Sequence, residues 1–330
     1  MIAENKTDLS CSVAIAAYKG EKYISEQLES LFTQSRLPDE IVICDDSPDK
    51  ATEELVKNLM NSSPCKIYYH HNDSTLGVND NFSKAISLCS GDIIFLCDQD
   101  DFWLPEKIKH MLDVLYNNPQ TGAVFCNSSV VDCDLKPLRY SLWDMCGFTA
   151  SRQKKLMDGK ALNVFLKRTT ATGHNMAFRA EYKNLLLPFI PNLTYDISIC
   201  ILLACVTNWR ILNEELSLYR VHDNNLSEPG KRGINKQFNV ARVSVKENKL
   251  KNETDFFQAI LERLEQSNYN ITPHSRHKLR EKIKFSFKRV NLSSNIFCRI
   301  PVIINEALKR NYCFYANGLK SILVDVFLKK

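Results

Sequence analysis

Over the first 131 residues, short apolar runs alternate with segments of helical periodicity. Ser12-Val13-Ala14-Ile15-Ala16-Ala17 has the character of a buried strand, and Ile24, Leu28, Leu31 and Phe32 then recur at helical spacing within 23–34. Residues 40–44 predict a second strand, 51–60 a second helix, 66–70 a third strand and 79–89 a third helix. The run Asp92-Ile93-Ile94-Phe95-Leu96-Cys97 predicts a fourth strand, which leads directly into Asp98-Gln99-Asp100-Asp101. A helix over 105–117 opens with Pro105, where the missing N–H costs nothing, and 122–131 closes the series as a fifth strand.

Strand and helix alternating this regularly predict right-handed βαβ units and a largely parallel sheet. In such sheets ligands bind beyond the carboxyl ends of the strands. The residues at those ends are Tyr18, Asp45-Asp46 and Asp98 to Asp101, so polar side chains at three strand ends are expected to form one site.

Beyond this region the pattern loosens. Residues 134–160 read as an irregular basic loop near the site. Regular structure is expected again over 172–178, a helix over 180–187, and an apolar helix over 194–206. Residues 209–212 and 216–219 read as two short strands. A Gly/Lys/Asn-rich linker follows Asn225, then a helix over 253–266 and a basic tail. The expected organisation is a catalytic domain over 1–228, with a nucleotide-binding half (10–132) and an acceptor half (133–228). Residues 229–330 are expected to form a linker and a basic helical extension.

The chemistry is concentrated in Asp98-x-Asp100-Asp101. Carboxylates this close repel one another and raise each other's pKa. A divalent cation relieves that repulsion, and oxygen ligands favour Mg²⁺ or Mn²⁺. Such a cation suits a diphosphate, whose charge grows as it leaves. Asp101 alone also suits the cap of the next helix, and Asp45-Asp46 alone suits a turn before Ser47-Pro48-Asp49. Their alignment at neighbouring strand ends is what favours a site.

The ordered segments Ser12-Val-Ala-Ile-Ala-Ala-Tyr18, Ile41-Val-Ile-Cys-Asp-Asp46, Gly77-Val-Asn-Asp-Asn81 and Phe95-Leu-Cys-Asp-Gln-Asp-Asp-Phe-Trp-Leu-Pro-Glu-Lys107 resemble the family 2 glycosyltransferases. These are inverting enzymes of the GT-A fold. The resemblance continues through Thr172-Gly-His-Asn-Met-Ala-Phe178, Tyr195-Asp196 and Tyr219-Arg-Val-His-Asp-Asn-Asn225, and so covers about residues 10–228. It is closest in appearance to bacterial rhamnosyltransferases of surface-polysaccharide assembly.

The resemblance implies an α/β GT-A (nucleotide-diphospho-sugar transferase) fold, with a mostly parallel central sheet flanked by helices and a helical C-terminal extension. It implies that Ala17 and Tyr18 line the nucleotide pocket, with Asp45 on the pyrimidine base and Asp46 beside it. Asp98 would face the ribose or diphosphate, and Asp100 would hold Mn²⁺ or Mg²⁺ with His222 as a further ligand. Arg220 would offset phosphate charge, and Asp196 would be the general base that takes the acceptor's proton. Asp101, Trp103, Gly173 and His174 are further candidates. Two departures stand out: Tyr195-Asp196-Ile197-Ser198 lacks the two tryptophans that relatives carry after the aspartate, and His174 stands where a small or sulfur residue is usual.

The implied donor is dTDP-L-rhamnose, with UDP-hexoses as the alternative. The implied acceptor is a polysaccharide or a lipid-linked oligosaccharide. A catalytically inactive scaffold of a polysaccharide-assembly complex is the contrasting class, and the intact acids speak against it. The turn after the first strand has no G-x-G-x-x-G, and no G-x-x-x-x-G-K-[ST] occurs, which disfavours dinucleotide oxidoreductases and P-loop NTPases.

Charge changes the picture only at the end of the chain. From His274 to Lys330 there are 13 Lys/Arg against 3 Asp/Glu, within a net charge of +5. With Phe285, Phe287, Phe297 and Phe327 interspersed, this tail is expected to meet an anionic membrane surface, and no nucleic-acid partner is expected. The apolar stretch 197–209 falls short of the roughly 20 residues a bilayer span needs. The segment MIAENKTDLS has two acids before any apolar run, so no signal peptide is expected. The twelve cysteines include no C-x-x-C pair and several sit in apolar runs, as in a reducing compartment. A cytoplasmic protein is the expectation, peripheral on the inner face of the cell membrane.

Overall fold

The computed structural model describes residues 9–168, 170–222 and 249–327. By compactness these form two units. One comprises residues 9–149, 171–189 and 207–222, and the other 150–168, 170, 190–206 and 249–327.

The first unit is built on the predicted alternation: β1 (Cys11–Ala17), α1 (Ile24–Phe32), β2 (Glu40–Asp45), α2 (Ala51–Met60), β3 (Lys66–His71), α3 (Val78–Leu88) and β4 (Ile93–Asp98). These are followed by β5 (Phe102–Trp103), α4 (Lys107–Asn117), β6 (Thr121–Val131), β7 (Pro137–Ser141), β8 (Met176–Arg179) and β9 (Asn208–Arg220). Among the described residues the strands form one sheet in the order β3-β2-β1-β4-β8-β6-β9-β5, with β7 paired to β6.

β1 to β4 run parallel, as the alternation predicts. In β1, β2 and β4 the apolar residues are almost all excluded from water on both faces, which is why they read as unbroken runs, whereas the edge strand β3 exposes Tyr68. β1 lies between β2 and β4 in the register Ala17↔Asp45 and Ala16↔Asp98, so the polar strand ends are level.

β8 then runs antiparallel between β4 and β6, pairing Ile93 with Arg179 and Phe95 with Ala177. This reversal sets the residues just before β8 against the carboxyl end of β4. β5 pairs antiparallel with β9, Phe102 opposite Leu218, and so draws the acidic segment toward the end of β9. Buried residues of α1 and of the turn after it support that segment: Ser30 Oγ accepts the Trp103 N–H at 3.0 Å, and Gln34 donates to the Leu104 carbonyl at 2.9 Å.

Several local expectations are corrected. Residues 134–160 are not an irregular loop: they contain β7, a helix over Leu142–Cys146 and another over Ala150–Met157. The first of these helices is started by a reciprocal capping box between Ser141 and Asp144, and Gly147 ends it at φ 64°. The stretch 172–178 begins as a 3₁₀ turn, Gly173–Asn175, and only then becomes β8. The two short strands expected over 209–219 are one strand, β9, whose pairing with β6 shifts register three times.

The second unit is helical among the described residues. Helix Tyr195–Val206 buries Ile199, Cys200, Ile201, Leu202 and Leu203, so it is apolar almost all round. Helices Lys249–Gln266 and Pro273–Val290 pack on one another, followed by Ile296–Leu308, Asn311–Tyr315 and Leu319–Phe327. Phe285, expected on the surface of the tail, is instead buried against Tyr312, with ring centroids 5.0 Å apart. All twelve cysteines are free thiols. No helix among the described residues is long and apolar enough to cross a membrane.

Candidate active site

The turn after β1 is pinned by side chains from neighbouring strand ends. Gln99 accepts from the Tyr18 N–H and donates to the Tyr18 carbonyl, both at 2.9 Å, and so mimics a strand partner. The Lys19 N–H donates to Ser47 Oγ at 2.7 Å, and the Gly20 N–H to Thr52 Oγ1 at 3.0 Å. Gly20 allows this fit, because a Cβ there would lie 2.6 Å from Gln99 Oε1. Tyr18 is exposed and available to a ligand, whereas Ala17 is buried.

Asp45 and Asp46 are both buried at the end of β2. Asp45 accepts from the Ser47 N–H at 2.9 Å, the Ser47 hydroxyl at 2.5 Å and the Tyr69 hydroxyl, while His71 lies 4.0 Å away. Asp46 accepts from Asn72 at 2.6 Å and from the Gly77 N–H at 2.8 Å, so it fastens the loop that leads into α3. Asn81 completes this layer by donating to the Ala17 and Cys44 carbonyls.

The antiparallel β8 delivers His174 between two carboxylates. Its Nδ1 lies 3.4 Å from Asp98 Oδ2 and its Nε2 3.6 Å from Asp101 Oδ2. Asp98 is part-exposed, while Asp101 and His174 are buried, and the His174 ring stacks on Tyr219 with centroids 5.1 Å apart. Burial and the carboxylates of Asp98 and Asp100 push Asp101 up to about 7, against the opposing pull of His174. Burial alone would lower the His174 pKa, but Asp101 and Asp98 outweigh it and hold the imidazole cationic to higher pH.

Lys107 lies beneath this group, fully buried. Its ammonium donates to the His174 carbonyl at 2.8 Å, to Asn175 Oδ1 at 3.2 Å and to Ser217 Oγ at 3.4 Å, and sits 3.9 Å from the centre of the Trp103 ring. Burial depresses its pKa, partly offset by nearby acids. Trp103 is thus a buried platform for Lys107.

At the outer side of the cluster, Asp100 Oδ2 and His222 Nε2 are 2.9 Å apart, and His222 stacks on Tyr23 with centroids at 5.1 Å. Burial and the Asp98 charge raise the Asp100 pKa, opposed by His222. Arg220 is buried between these elements. It donates to the Asp100 carbonyl at 2.9 Å, to the Cys133 carbonyl at 2.5 Å and to Glu26, and its guanidinium lies 4.4 Å from the Tyr23 ring centre.

Asp98, Asp101 and His174 each offer a ligand atom, all within 4.8 Å of one another. Asp101 Oδ2 and His174 Nε2 are buried without a hydrogen-bond partner. Two carboxylates, an imidazole and orphaned buried atoms suit a divalent cation.

The structure therefore brings together Ala17, Tyr18, Asp45, Asp46, Asp98, Asp100, Asp101, Trp103, Gly173, His174, Arg220 and His222 in the first unit. Asp196 belongs to the second, in the first turn of helix Tyr195–Val206, where its Oδ1 accepts from the Ile197 N–H at 2.9 Å and from the Thr194 hydroxyl. The roles of Gln99, Lys107, Tyr23 and Glu26 are not anticipated from sequence. Only Lys107 carries a signal, as a lysine on the apolar face of a predicted helix.

A level row of parallel strand ends bearing carboxylates, to which the reversed β8 returns His174 and the end of β9 brings His222, has the form of a GT-A sugar-nucleotide transferase. The sequence profile of Glycosyl transferase family 2 matches residues 12–186. The chain belongs to that family and is a glycosyltransferase.

An uncharacterized glycosyltransferase of Nostoc sp. is 24% identical over 226 residues, 66% of either chain. The dTDP-rhamnosyl transferase RfbG of Shigella flexneri is 34% identical over 109 residues, 32% of this chain and 38% of its own. The matched stretches thus span at most about two thirds of these relatives. Among solved structures, S. aureus TarS 1–349 in complex with UDP-GlcNAc has a TM-score of 0.58 at 16% identity, over 96% of this chain and 82% of its own. The mannosyltransferase PcManGT of Pyrobaculum calidifontis, in complex with GDP-Man and Mn²⁺, has a TM-score of 0.55 at 13% identity, over 97% and 86%. These likenesses establish the GT-A fold.

Proposed function

We propose that this transferase moves L-rhamnose from dTDP-L-rhamnose, with inversion, to a polysaccharide or lipid-linked oligosaccharide at an anionic membrane surface. The observation that carries the transfer chemistry is the cluster Asp98, Asp100, Asp101, His174 and His222 at the end of β4, with two buried ligand atoms that make no hydrogen bond. The donor is supported by the 34% identity with a dTDP-rhamnosyl transferase over 109 residues.

In this reading Ala17 and Tyr18 line the nucleotide pocket. Asp45 meets the pyrimidine, for which the Tyr69 hydroxyl must yield one carboxylate oxygen. Asp98 faces the ribose or diphosphate, and Asp100 and His222 hold Mn²⁺ or Mg²⁺ beside the Asp98–Asp101–His174 group. A bound divalent cation neutralises the charge of the departing diphosphate. Asp101 and His174 are further ligand candidates, Lys107 positions the cluster from below through the His174 carbonyl, and Asp46 and Gln99 keep the loops around the nucleotide in place. Asp196 takes the proton of the attacking acceptor hydroxyl. The expected domains are a catalytic domain over 1–228 and a membrane-facing extension over 229–330.

The test is a donor screen on the full chain, with dTDP-L-rhamnose and UDP-hexoses compared for released nucleoside diphosphate in Mn²⁺, Mg²⁺ and excess chelator. Release from dTDP-L-rhamnose that needs the cation supports the reading. Release only from a UDP-hexose overturns the donor, and full activity in chelator overturns the cation.

A further inference from the structure

The last helices of the second unit are amphipathic in the reverse sense. In helix Ile296–Leu308 the buried side chains are Arg299, Ile303 and Glu306, while Phe297, Ile304 and Leu308 are exposed. Phe297, Pro301, Ile304 and Leu308 recur at the three- and four-residue spacing of a single helical stripe, and Arg299, Ile303 and Glu306 fall on the opposite stripe. Helix Leu319–Phe327 repeats the arrangement: it buries Ser321 and Asp325 and exposes Leu319, Leu323 and Phe327. The two helices pack on one another. Phe297 is 84% exposed, Leu308 78% and Phe327 68%.

The buried polar side chains are held by ion pairs and hydrogen bonds, so the inversion is built in. Arg289 makes two bonds to the buried Asp325, at 2.6 and 3.0 Å, and the Tyr312 hydroxyl adds a third at 2.7 Å. Glu306 accepts from Lys288 at 2.6 Å and from Asn311 at 2.7 Å, and Arg299 donates to the Val326 carbonyl at 2.7 Å. A polar, hydrogen-bonded inner face and an apolar outer face suit a surface whose surroundings are themselves apolar.

Charge selects among such surroundings. Between residues 287 and 327 the only acids are Glu306 and Asp325, both buried and ion-paired. The exposed charges there are Lys288, Lys309, Arg310 and Lys320, all cationic. A face that is apolar and carries only positive charge fits an anionic bilayer better than a second copy of itself, which would set like charges against each other.

We propose that helices Ile296–Leu308 and Leu319–Phe327 form a monotopic docking face, whose exposed Phe and Leu side chains enter the acyl boundary of an anionic bilayer while the flanking cations meet its headgroups. This specifies the membrane surface of the functional reading as an insertion site. It is measured without donor or acceptor, so it stands or falls separately from the sugar chemistry.

The experiment is co-sedimentation of the full chain with vesicles of equal parts phosphatidylglycerol and phosphatidylethanolamine, at low and high salt, beside light scattering of the chain alone. The wild type is expected to bind. A Phe297→Ser, Leu308→Ser, Phe327→Ser variant is expected to lose binding by about ten-fold or more at both salts, since each contact is hydrophobic. A Lys309→Gln, Arg310→Gln, Lys320→Gln variant is expected to lose binding chiefly at low salt. Both change exposed side chains and are expected to melt with the wild type. Wild-type protein that stays in the supernatant overturns the proposal, as does a serine variant that sediments equally well. A wild-type dimer that the serine variant converts to monomer, with neither binding vesicles, makes the face an interface between copies and overturns it too.

Discussion

Replacing Arg220 with methionine separates two roles that a guanidinium at the end of β9 can play. If it offsets donor phosphate charge, its loss weakens donor binding and leaves the apo protein intact. Its position gives it other work. Nε and Nη1 bond the Asp100 and Cys133 carbonyls, Nη2 reaches Glu26, and the plane lies over Tyr23. Methionine would leave two carbonyls without these donors, at about 1–3 kcal/mol each where water cannot replace them. The Glu26 bond counts for little, because that side chain is 51% exposed and rehydrates. Against these losses stands relief from burying the guanidinium, which returns part of the cost. The net expectation is a destabilisation of about 3 kcal/mol, or a melting point roughly 5 °C lower for a chain of this size.

The assay is thermal unfolding without donor, followed by donor KM and kcat at a temperature where the variant is folded. Because Arg220 holds the Asp100 backbone, activity is expected to fall mainly through kcat. A variant that melts within about 1 °C of the wild type, with a donor KM raised about ten-fold or more, would refute the clamp and make Arg220 a phosphate ligand.

Three further outcomes are expected. Asp100→Ala should reduce transfer by about a hundred-fold or more with little change in melting point, because the side chain is part-exposed and meets His222 rather than the core; retained activity would count against its role. Gly20→Ala should displace Gln99 and raise the donor KM, and Gly20→Ala with Gln99→Ala should be no worse than Gln99→Ala alone, which a double-mutant cycle would show. Burial tends to raise the Glu306 pKa, but Lys288 and Asn311 hold it below the usual carboxylate range, so its stabilising effect is complete above the unfolded value of about 4.3 and is lost as pH falls through the folded one. Glu306→Gln should therefore flatten the decline of melting point with acid below about pH 4.5; an unchanged acid limb would contradict the sign.

What the sequence discloses about this site follows from the range of the forces involved. The ends of β1, β2 and β4 are readable because each strand is a continuous apolar run, and parallel pairing through right-handed crossovers aligns such ends without further information. The reversal at β8 is not readable, because its four residues, Met176–Arg179, are too few for periodicity to fix direction. Yet that reversal places His174 between Asp98 and Asp101 and sets its carbonyl on Lys107. The capping box at Ser141 and Asp144 is a local signal of order within residues 134–160. The tail is readable as membrane-facing, with Phe297 among the expected side chains, but which of its aromatics face outward is not: the ion pairs of Arg289 with Asp325 and Lys288 with Glu306 hold the polar stripe inside and leave Phe297, Ile304 and Leu308 outside, while Phe285 is buried. Pairing between charges distant in sequence thus decides which side of an amphipathic helix is the inside.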